Sequence, residues 1–202
     1  MSNLGEDIYE VDEYFPDPHP LEPLHNEDKV KLTPCQQWWA RAMTKIRIRH
    51  NKKVGAKATL YADDEDDDGN GDDEKKLYIN SLNAQGGESG FSILHNVFLS
   101  QEFDHYDRYD VFYPHKPTKT EIKTGDKRGS WLGVKDLSYV YTDPPMYYAL
   151  MEGKFPIYWF IGFIRSTDLI TKAHWRDAGP SGKPLKHPMF TAWQWELSKT
   201  IY

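Results

Sequence analysis

Tyr109-Asp110-Val111-Phe112-Tyr113 and Glu121-Ile122-Lys123-Thr124 are two short strand-like runs, separated by a turn rich in Pro and Lys from Pro114 to Thr120. Asp110 opens an apolar, aromatic run. Glu121 and Lys123 are two residues apart, so on a strand they point to the same face. A hairpin over this stretch brings two carboxylates and one ammonium to a single point. Paired carboxylates make a hard-oxygen site suited to Mg²⁺. A neighbouring ammonium can orient a water or offset charge growing on a phosphate. The same alternation of Thr120, Ile122 and Thr124 with Glu121 and Lys123 also describes an ordinary solvated strand face, so the flanks must decide.

Upstream, Gly86-Gly87-Glu88-Ser89-Gly90 leads into Phe91 to Leu99, whose apolar residues recur at helical spacing and predict an amphipathic helix. Downstream, Pro144 to Gly153 reads as a short helix with Pro near its start and Gly at its end. Phe155 to Ile164 is a nearly continuous apolar run, too short for a bilayer span and suited to a buried strand. The expected order is helix, hairpin, helix, buried strand.

This order and the Asp110…Glu121-Ile122-Lys123 spacing resemble the PD-(D/E)XK nuclease superfamily, which includes restriction endonucleases and Holliday-junction resolvases, over residues 86 to 170. Tyr109 stands where the family often has Pro. The resemblance implies an α/β (α+β) fold with a central mixed β-sheet flanked by helices. It also implies a metal-dependent nuclease that hydrolyses DNA. Asp110 and Glu121 would ligate Mg²⁺ or Mn²⁺, the Ile122 carbonyl could add a ligand, and Lys123 would position the attacking water. The family carries a Glu on the preceding helix; Glu88 is the candidate, with Glu102 its rival.

A chain of 202 residues, 39% hydrophobic, has room for one domain with a real core. No apolar stretch reaches bilayer length, and the N-terminus lacks a charged-then-apolar leader pattern. Cys35 is the single cysteine and no Cys/His spacing suggests zinc. Together these predict a cytoplasmic protein (host cytoplasm, were the chain phage-encoded) with no membrane partner.

The net charge of −6 conceals a segregation. Residues 1 to 34 carry nine acids and two bases, and residues 63 to 74 nine acids and no base. Residues 35 to 62 carry seven bases and no acid. The predicted layout is an extended acidic, Pro-rich arm over 1–32 and a single domain over 33–202, containing an acidic flexible loop at 63–74. Thr33-Pro34 starts a helix, Thr as N-cap and Pro at the first position. Trp38, Trp39, Ala42, Met43 and Ile46 form its apolar face. Arg41, Lys45, Arg47, Arg49, Lys52, Lys53 and Lys57 are read as tracking a DNA backbone. The acidic loop is either solvated or laid against a basic surface or partner.

Gly125 to Trp131 reads as a loop whose Lys127 and Arg128 reach toward phosphates and whose Trp131 could stack on a base. After a turn at Gly179–Gly182, Phe190, Trp193, Trp195 and Leu197 suggest a final strand. The expected partner is DNA; a homodimer stays open. Two alternatives remain: a catalytically inactive module that binds nucleic acid or protein, and a phage structural or assembly protein.

Overall fold

A computed structural model describes residues 23–53, 72–99, 110–113, 118–134, 146–171, 174–178 and 184–201. The fold is α/β (α+β), built on one mixed sheet. Strands β1 (Lys29–Lys31), β2 (Phe98–Leu99), β3 (Val111–Tyr113), β4 (Thr118–Gly125), β6 (Tyr147–Lys154) and β7 (Ile157–Arg165) form a six-stranded sheet in the order β1-β7-β6-β4-β3-β2. All its neighbours are antiparallel except β4 and β6, which run parallel. Strands β5 (Leu132–Val134), β8 (Trp175–Ala178) and β9 (Pro184–Ala192) form a second, antiparallel sheet in the order β5-β9-β8. Helices α1 (Pro34–Lys53) and α2 (Asp72–His95) pair with each other, and α2 lies on the main sheet. A short α3 (Ser166–Leu169) follows β7.

Two cores result, one on each face of the main sheet. Phe91 of α2 joins Val30, Leu32, Ile122, Ala149, Met151, Tyr158 and Phe160 on the helical side. Leu132, Val134, Tyr148, Leu150, Ile161 and Phe190 fill the side facing the smaller sheet. Burying a side chain such as Phe91 or Leu150 contributes roughly 1.5–3 kcal/mol.

Helix α1 starts where Thr33 and Pro34 predict. The Gln36 N–H donates to Thr33 Oγ1 at 3.4 Å and the Thr33 N–H donates to Gln36 Oε1 at 2.8 Å, a reciprocal capping box. Lys29–Lys31, inside the stretch expected as an arm, instead form β1 against β7, and Val30 and Leu32 enter the core. Residues 1–22 lie outside the described residues, as do 54–71 with Lys57 and most of the acidic run. The end of that run, Asp72 to Glu74, begins α2 and is not loop.

Three expectations are corrected. The stretch Pro144–Gly153, read as a helix, is strand β6 from Tyr147 onward. Residues 147 to 152 are all buried because one face meets α2 and the other the small sheet. A strand covered on both faces shows a continuous apolar run, and periodicity cannot separate that from a buried helix. Helix α2 does not begin after the glycines but runs through them and ends at His95. Asn96, at φ 50°, takes the left-handed conformation that closes a helix, and Phe98–Leu99 are β2. The final strand comes earlier than expected. Phe190 lies in β9, but Trp193 leaves it: its N–H donates to Glu196 Oε2 at 2.6 Å and starts a 3-10 turn over Gln194–Glu196.

The end of α2 carries a pH-dependent element. His95 is wedged among Phe91, Phe160 and Phe163, with ring centroids 4.3, 4.7 and 5.4 Å away. Burial lowers its pKa from the ordinary 6.5 to about 4. The unfolded chain therefore takes up a proton that the fold refuses, so stability is full above pH 6.5 and falls as pH drops toward 4. The loss should reach about 3 kcal/mol at most. Urea melts at pH 7 and pH 4 should show a smaller pH-dependent loss for His95→Phe than for wild type. Equal losses would mean that this ring titrates freely in the fold.

Candidate active site

The β3–β4 hairpin forms, with Val111 opposite Thr120 and Tyr113 opposite Thr118. Pairing on the β4 side starts at Thr118, inside the expected turn. Just before β3, the Asp110 N–H donates to the Thr120 carbonyl at 2.9 Å. The Ile122 N–H then donates to Asp110 Oδ2 at 2.6 Å. The carboxylate thus takes the place of the next backbone rung. The described β3–β4 pairing ends here, with Asp110 at the head of β3.

Glu121 and Lys123 stand side by side on one face of β4 and form an ion pair, while Ile122 between them points into the helical-side core. In the parallel register Glu121 is beside Tyr148, Lys123 beside Leu150, and Gly125 beside Glu152, so the pair shares the face of the small sheet. From the helical side α2 brings Glu88, which is only 6% exposed. Arg47 of α1 reaches it: Nη1 donates to both Glu88 oxygens, each at 2.8 Å. Gln85, one helical turn before Glu88, donates Nε2 to Glu88 Oε2 at 3.1 Å.

The charges of these groups act on one another. Burial pushes the Asp110 carboxyl well above its usual range, and the nearby Glu88 and Glu121 carboxylates push it further; the Ile122 N–H and Arg47 only partly offset them. Burial opposes the Lys123 ammonium, but the charge of Glu121 and their hydrogen bond, with Asp110 and Glu88 behind them, outweigh it and raise its pKa. Arg47 follows the same pattern: burial disfavours its charge, and Glu88, then Asp110, more than restore it. Asp110 therefore lies within electrostatic reach of Glu121 and Lys123 on one face of β4 and of Glu88 and Arg47 on the other.

The cations expected to follow a DNA backbone do not act as one row. Arg41, Lys45, Arg49 and Lys52 are exposed and recur at helical spacing. Arg47 lies roughly 120–160° away around the axis of α1, from 100° per residue. It faces the carboxylates, and the stripe does not. Arg41 covers the Phe155 ring at 4.8 Å, and Lys52 pairs with Glu74 at 2.6 Å. Lys53 is exposed at the end of the helix. Lys127 and Arg128 lie exposed after β4, and Arg128 Nη1 turns back to 3.8 Å from Glu152 Oε2. Trp131, expected as a base-stacking platform, packs against Trp193 at 5.7 Å. Glu102, His105, Asp107 and His115 lie outside the described residues.

Two residues of this region went unnoticed in the sequence. Gln85 carried a signal, its place one turn before Glu88. Glu152 carried another, a lone charge ending the apolar run Tyr147–Met151. It is 3% exposed, and its Oε1 accepts the Ser130 N–H at 3.0 Å and Gln194 Nε2 at 2.6 Å. It anchors the loop after β4 and lies on the row of Glu121 and Lys123.

A divalent cation suits this donor set. Burial first, and then repulsion from Glu88 and Glu121, raise Asp110; a bound cation would relieve the second, and carboxylate oxygens are the donors Mg²⁺ and Mn²⁺ prefer. Among the described residues no three His, Cys, Asp or Glu side chains already surround one ion position. Glu88 and Glu121 each hold a cationic side chain instead. Also among the described residues, no helix is long and apolar enough to cross a membrane. No protein-family profile, curated protein or solved structure matches this chain, so the cluster must be read from its own chemistry.

Proposed function

We propose that the cluster is a divalent-cation-dependent centre that hydrolyses DNA phosphodiester bonds, in the manner of the PD-(D/E)XK nucleases. The observation that carries this is Asp110, its carboxylate held by the Ile122 N–H at the head of the β3–β4 hairpin and within electrostatic reach of Glu121, Lys123 and Glu88. Asp110 and Glu121 would hold Mg²⁺ or Mn²⁺, and the Ile122 carbonyl would add a ligand. When bound, such an ion polarises the scissile phosphate and lowers the pKa of a coordinated water. Lys123 would orient the attacking water, whose proton passes to solvent, and would offset the negative charge that grows on the phosphate oxygens. The O3′ or O5′ of the cut strand leaves with the bonding electron pair and takes a proton from solvent. The expected order holds only in part: α2 and the hairpin are in place, but Pro144–Gly153, expected as the second helix, is from Tyr147 the buried strand β6, parallel to β4, and the expected buried strand is β7, antiparallel to β6.

A second reading keeps the fold and drops the chemistry. The Arg47–Glu88 and Lys123–Glu121 pairs already neutralise two of the carboxylates, as in a binding module that grips DNA without cutting it. Purified protein incubated with plasmid, linear and branched DNA in Mg²⁺, Mn²⁺ or EDTA separates the two. Nicking or degradation that disappears in EDTA is expected. Binding to the same DNAs with no cutting in either metal would leave the second reading standing.

A further inference from the structure

Arg47 touches the cluster with only one of its terminal nitrogens. Nη1 donates to both Glu88 oxygens, each at 2.8 Å. Among the described residues neither Nη2 nor Nε makes a hydrogen bond to protein. The Arg47 side chain is 29% exposed and that of Glu88 8%, so Arg47 keeps more contact with solvent than its anchor does. Glu88 is fixed in turn by Gln85, and both sit on the stretch of α2 whose glycines press against the main sheet. An arginine held along one edge, with the rest of its fork uncommitted, is organised to bind a second oxyanion. The oxyanion demanded by the chemistry next to it is a phosphodiester.

We propose that Arg47 is the phosphate clamp of the cleft: its Nη1 is anchored on Glu88, and Nη2 and Nε bind non-bridging oxygens of the nucleic-acid phosphate at the Asp110–Glu121 site. Glu88 is then a positioning residue that acts through Arg47, not a ligand of the cation. Both of its oxygens already accept hydrogen bonds, Oε2 from Gln85 as well as Arg47. The clamp approaches from the α1 side, whereas Lys123 sits on the opposite face of β4. The phosphate would thus lie between a cation on each side. The exposed stripe Arg41, Lys45, Arg49 and Lys52 has no part in this contact, because it looks away from the cleft.

This assignment rests on the reading of the cluster as a phosphodiester site. Its test is binding measured apart from cleavage. Fluorescence anisotropy of a labelled duplex, with Ca²⁺ replacing Mg²⁺, is followed between 50 and 200 mM salt for wild type, Arg47→Met, Glu88→Gln and the double variant. Mn²⁺ affinity is measured on the same proteins without DNA by electron paramagnetic resonance. Losing one phosphate contact should flatten the plot of log affinity against log salt by about one unit. Arg47→Met should show that flattening with a roughly tenfold weaker complex at low salt. Glu88→Gln should move in the same direction, and the double variant should be no weaker than Arg47→Met alone, since both act through one contact. The double variant also guards against misfolding, because it leaves no buried carboxylate unpaired.

Mn²⁺ affinity should shift by less than about tenfold in all three variants, since neither residue is a ligand and each acts on the site only through its charge. A Glu88→Gln protein whose Mn²⁺ affinity falls tenfold or more while its salt slope is unchanged would make Glu88 a metal ligand and overturn the assignment. An unchanged slope in Arg47→Met would overturn it too, whatever the cleavage assays show. If wild type binds the duplex, loses slope on Arg47→Met and never cuts, the clamp stands and the hydrolase reading fails. A wild type with no affinity for the duplex removes both.

Discussion

Asp110→Ala should abolish metal-dependent DNA cleavage, lowering the rate by roughly 10³-fold or more, because the loss of a metal-polarised phosphate and water removes several kcal/mol of transition-state stabilisation. Asp110→Asn should fall almost as far, since an amide is a poor ligand for a hard cation. The two variants separate chemistry from fold. The asparagine keeps an oxygen that accepts the Ile122 N–H, so the hairpin edge survives; the alanine leaves that donor open.

Stability should move the other way. In the metal-free protein the Asp110 carboxyl is held above its ordinary range by burial and by Glu88 and Glu121. A folded-state pKa that is raised contributes stability only while the group stays protonated, and that part is lost as pH rises through the raised value. Asp110→Asn should therefore be at least as stable as wild type at neutral pH in EDTA, and its stability should depend less on pH above the carboxylate range. Urea melts beside plasmid-nicking rates test both halves. Cleavage undiminished in Asp110→Asn and Asp110→Ala would take this carboxylate out of the mechanism. An active-site group that weakens the resting fold is the expected cost of keeping like charges ready for a cation.

Gly86→Val should be the most damaging single change to the fold. A Cβ at Gly86 would sit 2.2 Å from Tyr158 Oη, 2.8 Å from its Cζ and 2.9 Å from Phe155 Cδ2. Tyr158 is fully buried, and its hydroxyl donates to the Asn83 carbonyl and faces Asn83 Oδ1, both at 3.1 Å. It cannot step aside without breaking those contacts and lifting α2 off β7. Overpacking of about 1–3 kcal/mol plus a buried hydroxyl stripped of its partners, about 1–3 kcal/mol more, gives an expected loss of roughly 2–6 kcal/mol. The better helix propensity of the substitute returns under about 1 kcal/mol. Gly90→Ala should be milder, because its Cβ would meet Val30 Cγ1 at 2.8 Å, a methyl on the edge strand β1. Chemical denaturation of both variants gives the ranking. A Gly86→Val protein as stable as wild type would mean that α2 does not rest on the sheet at this point.

Gly87 ties this packing to the site. Its Cβ would lie 2.1 Å from Thr124 Oγ1, next in chain to Lys123. The glycines ahead of Phe91 are therefore the surface by which α2 approaches β4 closely enough to present Glu88. Read alone, Gly-Gly-Glu-Ser-Gly argues against a helix. Packed against a sheet, the missing side chains are what the contact requires.

Legibility followed the range of the interaction. Glu121 and Lys123 on one face come from a period of two, and Asp110 reaches them through a hairpin closed by few residues, so this part was readable from the chain. So was the start of α1, since Thr33, Pro34 and Gln36 cap themselves. The direction of Arg47 was also there to be found: spacings of three and four join Arg41, Lys45, Arg49 and Lys52, and leave Arg47 off the row. Residues near in sequence meet with little loop entropy and follow backbone periods, which is why such patterns survive without a fold around them.

The rest was settled by what covers what. Tyr147–Lys154 is a strand because α2 and the small sheet shield both its faces, a fact absent from its own residues. Glu88 faces Asp110 because glycines let α2 close on β4, and Arg47 reaches Glu88 across a sequence separation of 41 residues. Burial and the neighbouring charges, not the identity of the side chain, push Asp110 above its normal range. Desolvation and electrostatic coupling depend on the whole packed surroundings, so chemistry of this kind exists only once distant segments have come together.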